Sequence, residues 1–222
     1  MTTLATVGSG HIGGTVARLA VAAGYDVILS NSRGPETLAG LVAELGPRAS
    51  AATTAEAVAA GDLVLVSIPT RAVPSLPVEP FAGKIVMDTN NFYAQRDGEL
   101  PGVADGTVTV NEYLARHLPD AQVVKVFNNI FFRLLLTLAR PAGAPDRSAL
   151  AIAGDDDSAK AAVTKFLDDI GYDAVDAGAL GAGGRLFQVD TPAYGLPYGG
   201  VSEDGHPADA AAIRSALDQA RA

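Results

Sequence analysis

Residues 4–13 read Leu4-Ala5-Thr6-Val7-Gly8-Ser9-Gly10-His11-Ile12-Gly13, and this stretch decides the fold. A short run of apolar and β-branched residues makes a strand, and the G-x-G-x-x-G that follows gives each glycine a steric task. Gly8 permits a tight turn, Gly10 lets a pyrophosphate approach the backbone, and Gly13 lets the next helix pack closely on the sheet. A helix from Gly13 to Ala23 then offers free N–H groups and a positive dipole end to the phosphates. The strand–turn–helix context is what the motif requires, so Gly8, Ser9, Gly10, His11, Ile12 and Gly13 are expected to contact a dinucleotide. The plain alternative is a glycine-rich turn that binds nothing.

Working outward, further strands are expected at residues 25–30, 48–52, 63–68, 84–88, 122–126, 149–153 and 173–176, with Ala-rich helical stretches between them. Alternation of this kind predicts an α/β fold: a Rossmann-type doubly wound, mostly parallel sheet with helices on both faces and a small C-terminal extension. Gly24, Gly46-Pro47 and Gly171 terminate helices, Thr54 with Glu56 opens a short one, and Ser158 caps another that reaches Ile170. Residues 1–188 are expected to form the dinucleotide-binding domain. Residues 189–222 form an irregular tail and terminal helix, packed on the same domain or on a partner subunit. Two stretches rich in Gly, Pro and Asp, 92–107 and 190–207, are either functional lids or partner contacts, or else disordered.

The end of the second strand selects the dinucleotide. An NAD site places Asp or Glu there to hold the ribose 2′-hydroxyl. This chain has Asn31-Ser32-Arg33 instead. Ser32 can donate to a 2′-phosphate and Arg33 can grip it as a planar fork, which favours NADP(H). Glu36 is a mild counterweight, and a solvated turn is the bland reading of Arg33.

At the nicotinamide end, the ligand crosses the carboxyl ends of the strands. That places Ile68-Pro69-Thr70-Arg71 and Asp88-Thr89-Asn90-Asn91 beside it. Pro69 would hold the backbone extended, and Asn90 or Asn91 could orient a carboxamide; a capped turn explains the paired asparagines equally well. Asn128 and Asn129 follow the sixth strand and either face the same crevice or cap the next helix. Phe131, Phe132, Leu134, Leu135 and Leu138 read as core or a subunit contact.

Composition narrows the classes. The chain has 222 residues, 48% hydrophobic and 18% charged, so a packed core is expected. A net charge of −9 with no basic cluster argues against nucleic acid. The absence of cysteine excludes disulfides and thiolate chemistry, and it fits a cytoplasmic protein. Residues 131–139 contain Arg133 and are too short to span a bilayer, so no membrane association is expected. His11, His117 and His206 have no metal-ligand spacing, and no metal is expected. No nucleophile elbow or P-loop occurs, and no acid–base constellation stands out. Hydride exchange between two bound cofactors needs alignment more than a protein acid.

With these residues in place, the chain resembles the family of NADP oxidoreductases dependent on the deazaflavin coenzyme F-420. The resemblance runs to about Gln188. It rests on the glycine loop, Ser32-Arg33, Ile68-Pro69, Asp88-Thr89-Asn90, Lys125 through Asn129, and Gly178-Ala179-Leu180 followed by Arg185 and Phe187. It implies NADP(H) on the Rossmann domain, a deazaflavin stacked on the nicotinamide, direct hydride transfer, and a homodimer. Two other readings stand beside it. One is an NADPH-dependent reductase of another small organic or flavin substrate, with Tyr194 or Tyr198 as proton donor. The other is a non-catalytic NADP(H)-binding module that senses redox state or docks a partner.

Overall fold

The computed structural model describes residues 2–202 and 204–222; Met1 and Glu203, which fall within the two expected domain ranges, lie outside the described residues. Eight strands form one sheet: β1 (Thr3–Val7), β2 (Asp26–Ser30), β3 (Ala49–Ala51), β4 (Leu63–Val66), β5 (Ile85–Asp88), β6 (Gln122–Lys125), β7 (Ala149–Gly154) and β8 (Asp173–Asp176). Their order is β3-β2-β1-β4-β5-β6-β7-β8. The first six are parallel and give the doubly wound order of a dinucleotide fold, with the reversal between β1 and β4. The expected fold class is therefore the observed one.

Period-two alternation sends side chains to both faces. Leu63 and Leu65 of β4 join one core with Met87 and Val124, while Val64 and Val66 join the opposite core with Val86 and Val123. The first core is covered by α1 (His11–Ala22) and by two helices that follow α2 (Ala39–Leu45), α3 (Thr54–Ala60), α4 (Ala94–Asp97) and α5 (Val110–His117), namely α6 (Phe132–Thr137) and α7 (Asp157–Asp169). The second is covered by α3 and α5, with Leu180 of α8 (Leu180–Arg185). A buried parallel strand reads as a continuous apolar run for this reason.

β7 departs from the parallel scheme. It pairs antiparallel to β6 through Val124–Gly154 and Lys125–Ala153, and β8 runs parallel to β7. Ala149, at the start of β7, consequently lies beyond the carboxyl end of β6. The C-terminal residues close over that overhang: α9 (Ala210–Arg221) packs on β7 and β8 with Ile213 and Leu217 buried. The Ala149 amide donates to the Ala208 carbonyl.

Some local expectations change. The helix at 54 is capped by Thr53, whose hydroxyl accepts from the Glu56 amide while Glu56 reaches back, a complete capping box. α7 is capped by Asp156, not Ser158; the Ser158 hydroxyl donates to the same carboxylate at 2.5 Å. A carboxylate accepts from the N3 amide and favours the positive helix end as well, so it wins over the hydroxyl. Residues 92–107 contain α4, and 190–207 contain a 3-10 turn, Leu196–Tyr198. Tyr198 is fully buried and donates to the Ala149 carbonyl at 2.6 Å. It is an anchor of the core and cannot present its hydroxyl to a ligand, which removes it as a proton donor.

Candidate functional site

The glycine loop separates structural glycines from a vacant approach. A Cβ on Gly8, whose φ is +95°, would stand 2.1 Å from the Ser67 carbonyl oxygen, and one on Gly13 would stand 2.0 Å from that of Gly8. Packing alone demands glycine at both. A Cβ on Gly10 would meet nothing within 4 Å. Gly10 is the N-cap of α1, its φ is −79°, and no side chain caps the helix or places an acid in its first turn. Neither packing nor backbone strain explains a glycine there, and the backbone is open to close approach by a large group. Ser9 is turned inward, donating to the Ser30 carbonyl at 3.1 Å.

The β2 turn is prearranged. The Asn31 side-chain oxygen accepts from the Arg33 amide at 2.8 Å, and its amide donates to Thr37 Oγ1 at 2.9 Å. This local lock leaves Ser32 and Arg33 exposed, and Arg33 makes no ion pair among the described residues. Gly8, Gly10, Asn31, Arg33, Ile68 and Pro69 line one groove of about 390 Å³, which Ser9 and Ser32 also border and Glu36 does not. On the other side of the loop, His11 stacks on Phe132 with ring centroids 4.3 Å apart.

At the carboxyl ends of β4 and β5, Asn90 ties the two loops together: its Oδ1 accepts from the Ile68 amide at 3.1 Å. Thr70 is buried and donates to the Asn91 carbonyl, so it braces that loop from behind and borders none of the described cavities. After β6 the chain turns at Phe127, a buried non-glycine residue with φ 64°. Left-handed backbone at a bulky residue costs on the order of 1–3 kcal/mol and is held by its surroundings. The turn redirects Asn128 and Asn129. Asn128 donates to the Phe187 carbonyl at 2.7 Å, and Asn129 donates to the Ala193 carbonyl at 3.0 Å. They neither cap α6, whose N-cap is Phe131, nor point freely into the crevice; they fasten the C-terminal segment.

Behind these loops two buried ionisable groups stand on adjacent strands, a juxtaposition that sequence reading passed over. Asp88 and Lys125 are register partners on β5 and β6, both almost fully buried. The Asp88 carboxylate accepts from the Asn90 amide at 2.9 Å and from Asn111 Nδ2 at 2.7 Å. Lys125 Nζ donates to the Gly184 carbonyl at 2.6 Å and sits 4.6 Å from the centre of the Phe187 ring. Burial pushes the Asp88 carboxyl well up and the Lys125 ammonium well down, each opposed by the other's charge. A lysine inside the apolar run of β6 was the available signal, since lysine is almost never buried without a partner.

Buried but unpaired amide atoms collect here: Asn90 Nδ2, Asn111 Oδ1, Asn128 Oδ1 and Asn129 Oδ1. Asn90 and Lys125 also line a separate cavity of about 150 Å³ with Arg185. The expected cofactor residues thus divide. Eight line the groove, His11 borders the neighbouring recess, Asn90 lines the smaller cavity, and Ile12, Gly13, Thr70 and Asn128 support from behind. Tyr194 hydrogen-bonds Tyr93 hydroxyl to hydroxyl at 2.6 Å and borders none of these spaces. No helix among the described residues is long and apolar enough to cross a membrane.

Comparison with known proteins agrees with this geometry. Residues 3–92 match the family model described as NADP oxidoreductase coenzyme F420-dependent. A hypothetical protein of Sinorhizobium meliloti is 28% identical, with a TM-score of 0.71 over 86% of this chain and 91% of that one. A candidate F420-dependent NADP reductase of Arthrobacter sp. FB24 is 27% identical, with a TM-score of 0.68 over 81% of this chain and 86% of that one. A reductive aminase of Aspergillus terreus, solved with NADPH, shares the fold at 18% identity and a TM-score of 0.56, over 82% of this chain and 57% of that one. No curated protein matches the chain. The matched residues 3–92 are the segment that builds the glycine loop, the Asn31–Arg33 turn and the Asn90 loop, and over it the chain is similar to the coenzyme F420-dependent NADP oxidoreductases.

Proposed function

We propose that the chain binds NADP(H) along the groove and exchanges hydride between it and the deazaflavin coenzyme F-420. The observation that carries the reading is the pairing of a vacant approach at Gly10 with an unpaired Arg33 in one groove. The α1 N-terminus and the Gly8–Gly10 backbone would take the pyrophosphate, and Ser32 with Arg33 the 2′-phosphate. Ile68 and Pro69 would border the nicotinamide, their loop held in place by the Asn90 Oδ1 that accepts from the Ile68 amide. The cofactors supply the chemistry, a hydride moving between the nicotinamide and the deazaflavin ring. The protein's part is alignment and exclusion of water. Residues 1–188 serve as the dinucleotide-binding domain and 189–222 as its cover, in a homodimer. The match to the family model supports the deazaflavin as partner.

The test is an anaerobic mixture of protein, NADPH and oxidised coenzyme F-420, followed by the deazaflavin's visible absorbance. Bleaching with NADPH and much less with NADH is expected. NADPH binding without bleaching would refute the deazaflavin as partner. A second reading, reduction of another small organic substrate, is favoured by the small polar cavity beside Asn90.

A further inference from the structure

The cavity beside Asn90 has a chemistry of its own. Its volume, about 150 Å³, is too small for a tricyclic ring. It has room for a ligand of about six heavy atoms, since an apolar cavity of that size holds benzene. This one is polar. Asn90 brings a buried amide nitrogen with no hydrogen-bond partner, and Lys125 brings an ammonium whose single recorded hydrogen bond goes to the Gly184 carbonyl. Arg185, anchored at the rim by its bond to the Gly106 carbonyl, adds a second cation. Phe92, Val103 and Val108 supply the apolar wall.

We infer that this cavity binds a small organic carboxylate, held by Asn90, Lys125 and Arg185. An unpaired buried donor costs about 1–3 kcal/mol, and a bound anion would relieve that cost at Asn90 Nδ2. Burial first, and then the Arg185 charge, push the Lys125 ammonium down against the pull of Asp88, and a bound carboxylate would favour its charged form. Asp88 lies behind Lys125, Glu112 faces Arg185 from α5, and Asp190 stands among the lining residues. Asp190 favours a ligand whose carboxylate is turned away from it, toward Lys125. This site does not depend on the hydride-transfer reading.

The experiment titrates the isotope-labelled full chain with pyruvate, and separately with acetone, which keeps the carbonyl and lacks the carboxylate. Amide shifts should saturate with pyruvate at residues 90–92, 103–110 and 185–190, and acetone should bind at least tenfold more weakly. R185Q, at an exposed position, should weaken pyruvate about tenfold without lowering the melting temperature. V108F, which fills the cavity, should abolish binding. Absent shifts, equal binding of acetone, or pyruvate affinity unchanged in R185Q would overturn the inference. Pyruvate binding in a protein that fails to bind NADPH would leave it standing and refute the nucleotide reading alone.

Discussion

At the scale of single residues, the glycine loop shows that one motif holds two kinds of necessity. Gly13 is glycine because the Gly8 carbonyl occupies the space of a side chain, whereas nothing in the protein occupies that space at Gly10. Gly13→Ala should therefore destabilise the fold by about 1–3 kcal/mol or more through overpacking, read as a lowered denaturation midpoint. Gly10→Val should leave that midpoint within about 0.5 kcal/mol and abolish NADPH binding. Equal stability losses at the two sites would contradict the assignment. The motif was legible because its glycines are fixed by local geometry. Thr70 was not, since whether a residue after a strand faces the ligand or braces a loop depends on a neighbour, here the Asn91 carbonyl, that comes from elsewhere in the chain.

At the scale of elements, β5 and β6 are joined by more than their backbone ladder. Asp88 and Lys125 are buried register partners whose opposite charges attract, so removing one leaves the other's charge less compensated. Lys125→Met leaves the carboxylate of Asp88 buried and unopposed. Burial already holds its folded-state pKa up at about 7, and loss of the lysine charge raises it further, so the folded chain holds a proton that the unfolded chain releases. Stability lost this way grows as pH rises through that window. The deficit of Lys125→Met relative to the unmodified chain should widen as pH rises above about 7 in urea denaturation. The double variant Asp88→Asn/Lys125→Met should recover most of it. A deficit independent of pH would place the effect in packing. The strands themselves were legible as apolar runs, but their directions were not. Nothing in residues 149–153 marks β7 as antiparallel to β6, because a strand's direction is set by the path of its connection.

For the whole molecule, the tail after residue 190 is anchored in the core through Ala193, Tyr198, Ala208 and the inner face of α9. Tyr198 reaches the β7 overhang, Asn129 holds Ala193, and α9 covers β7 and β8. Gly/Pro-rich composition hid this, since such stretches look alike whether they are loose or pinned by one buried aromatic. Tyr198→Ala should cost about 3–5 kcal/mol. Tyr198→Phe, which removes only the hydroxyl, should cost about 1–2 kcal/mol and leave NADPH affinity unchanged. Both are measured by denaturant unfolding and nucleotide titration. A substantial loss of NADPH affinity in Tyr198→Phe would return that hydroxyl to the site.

The central claim is that the groove from Gly8 to Arg33 binds a dinucleotide carrying a 2′-phosphate, and it is tested most directly by calorimetric titration of Arg33→Ala beside the unmodified chain. Loss of a charge-assisted hydrogen bond worth about 1.5–3 kcal/mol should weaken NADPH by about ten- to a hundredfold and leave NADH unchanged. Equal weakening of both, or of neither, would contradict the assignment of that turn to the phosphate.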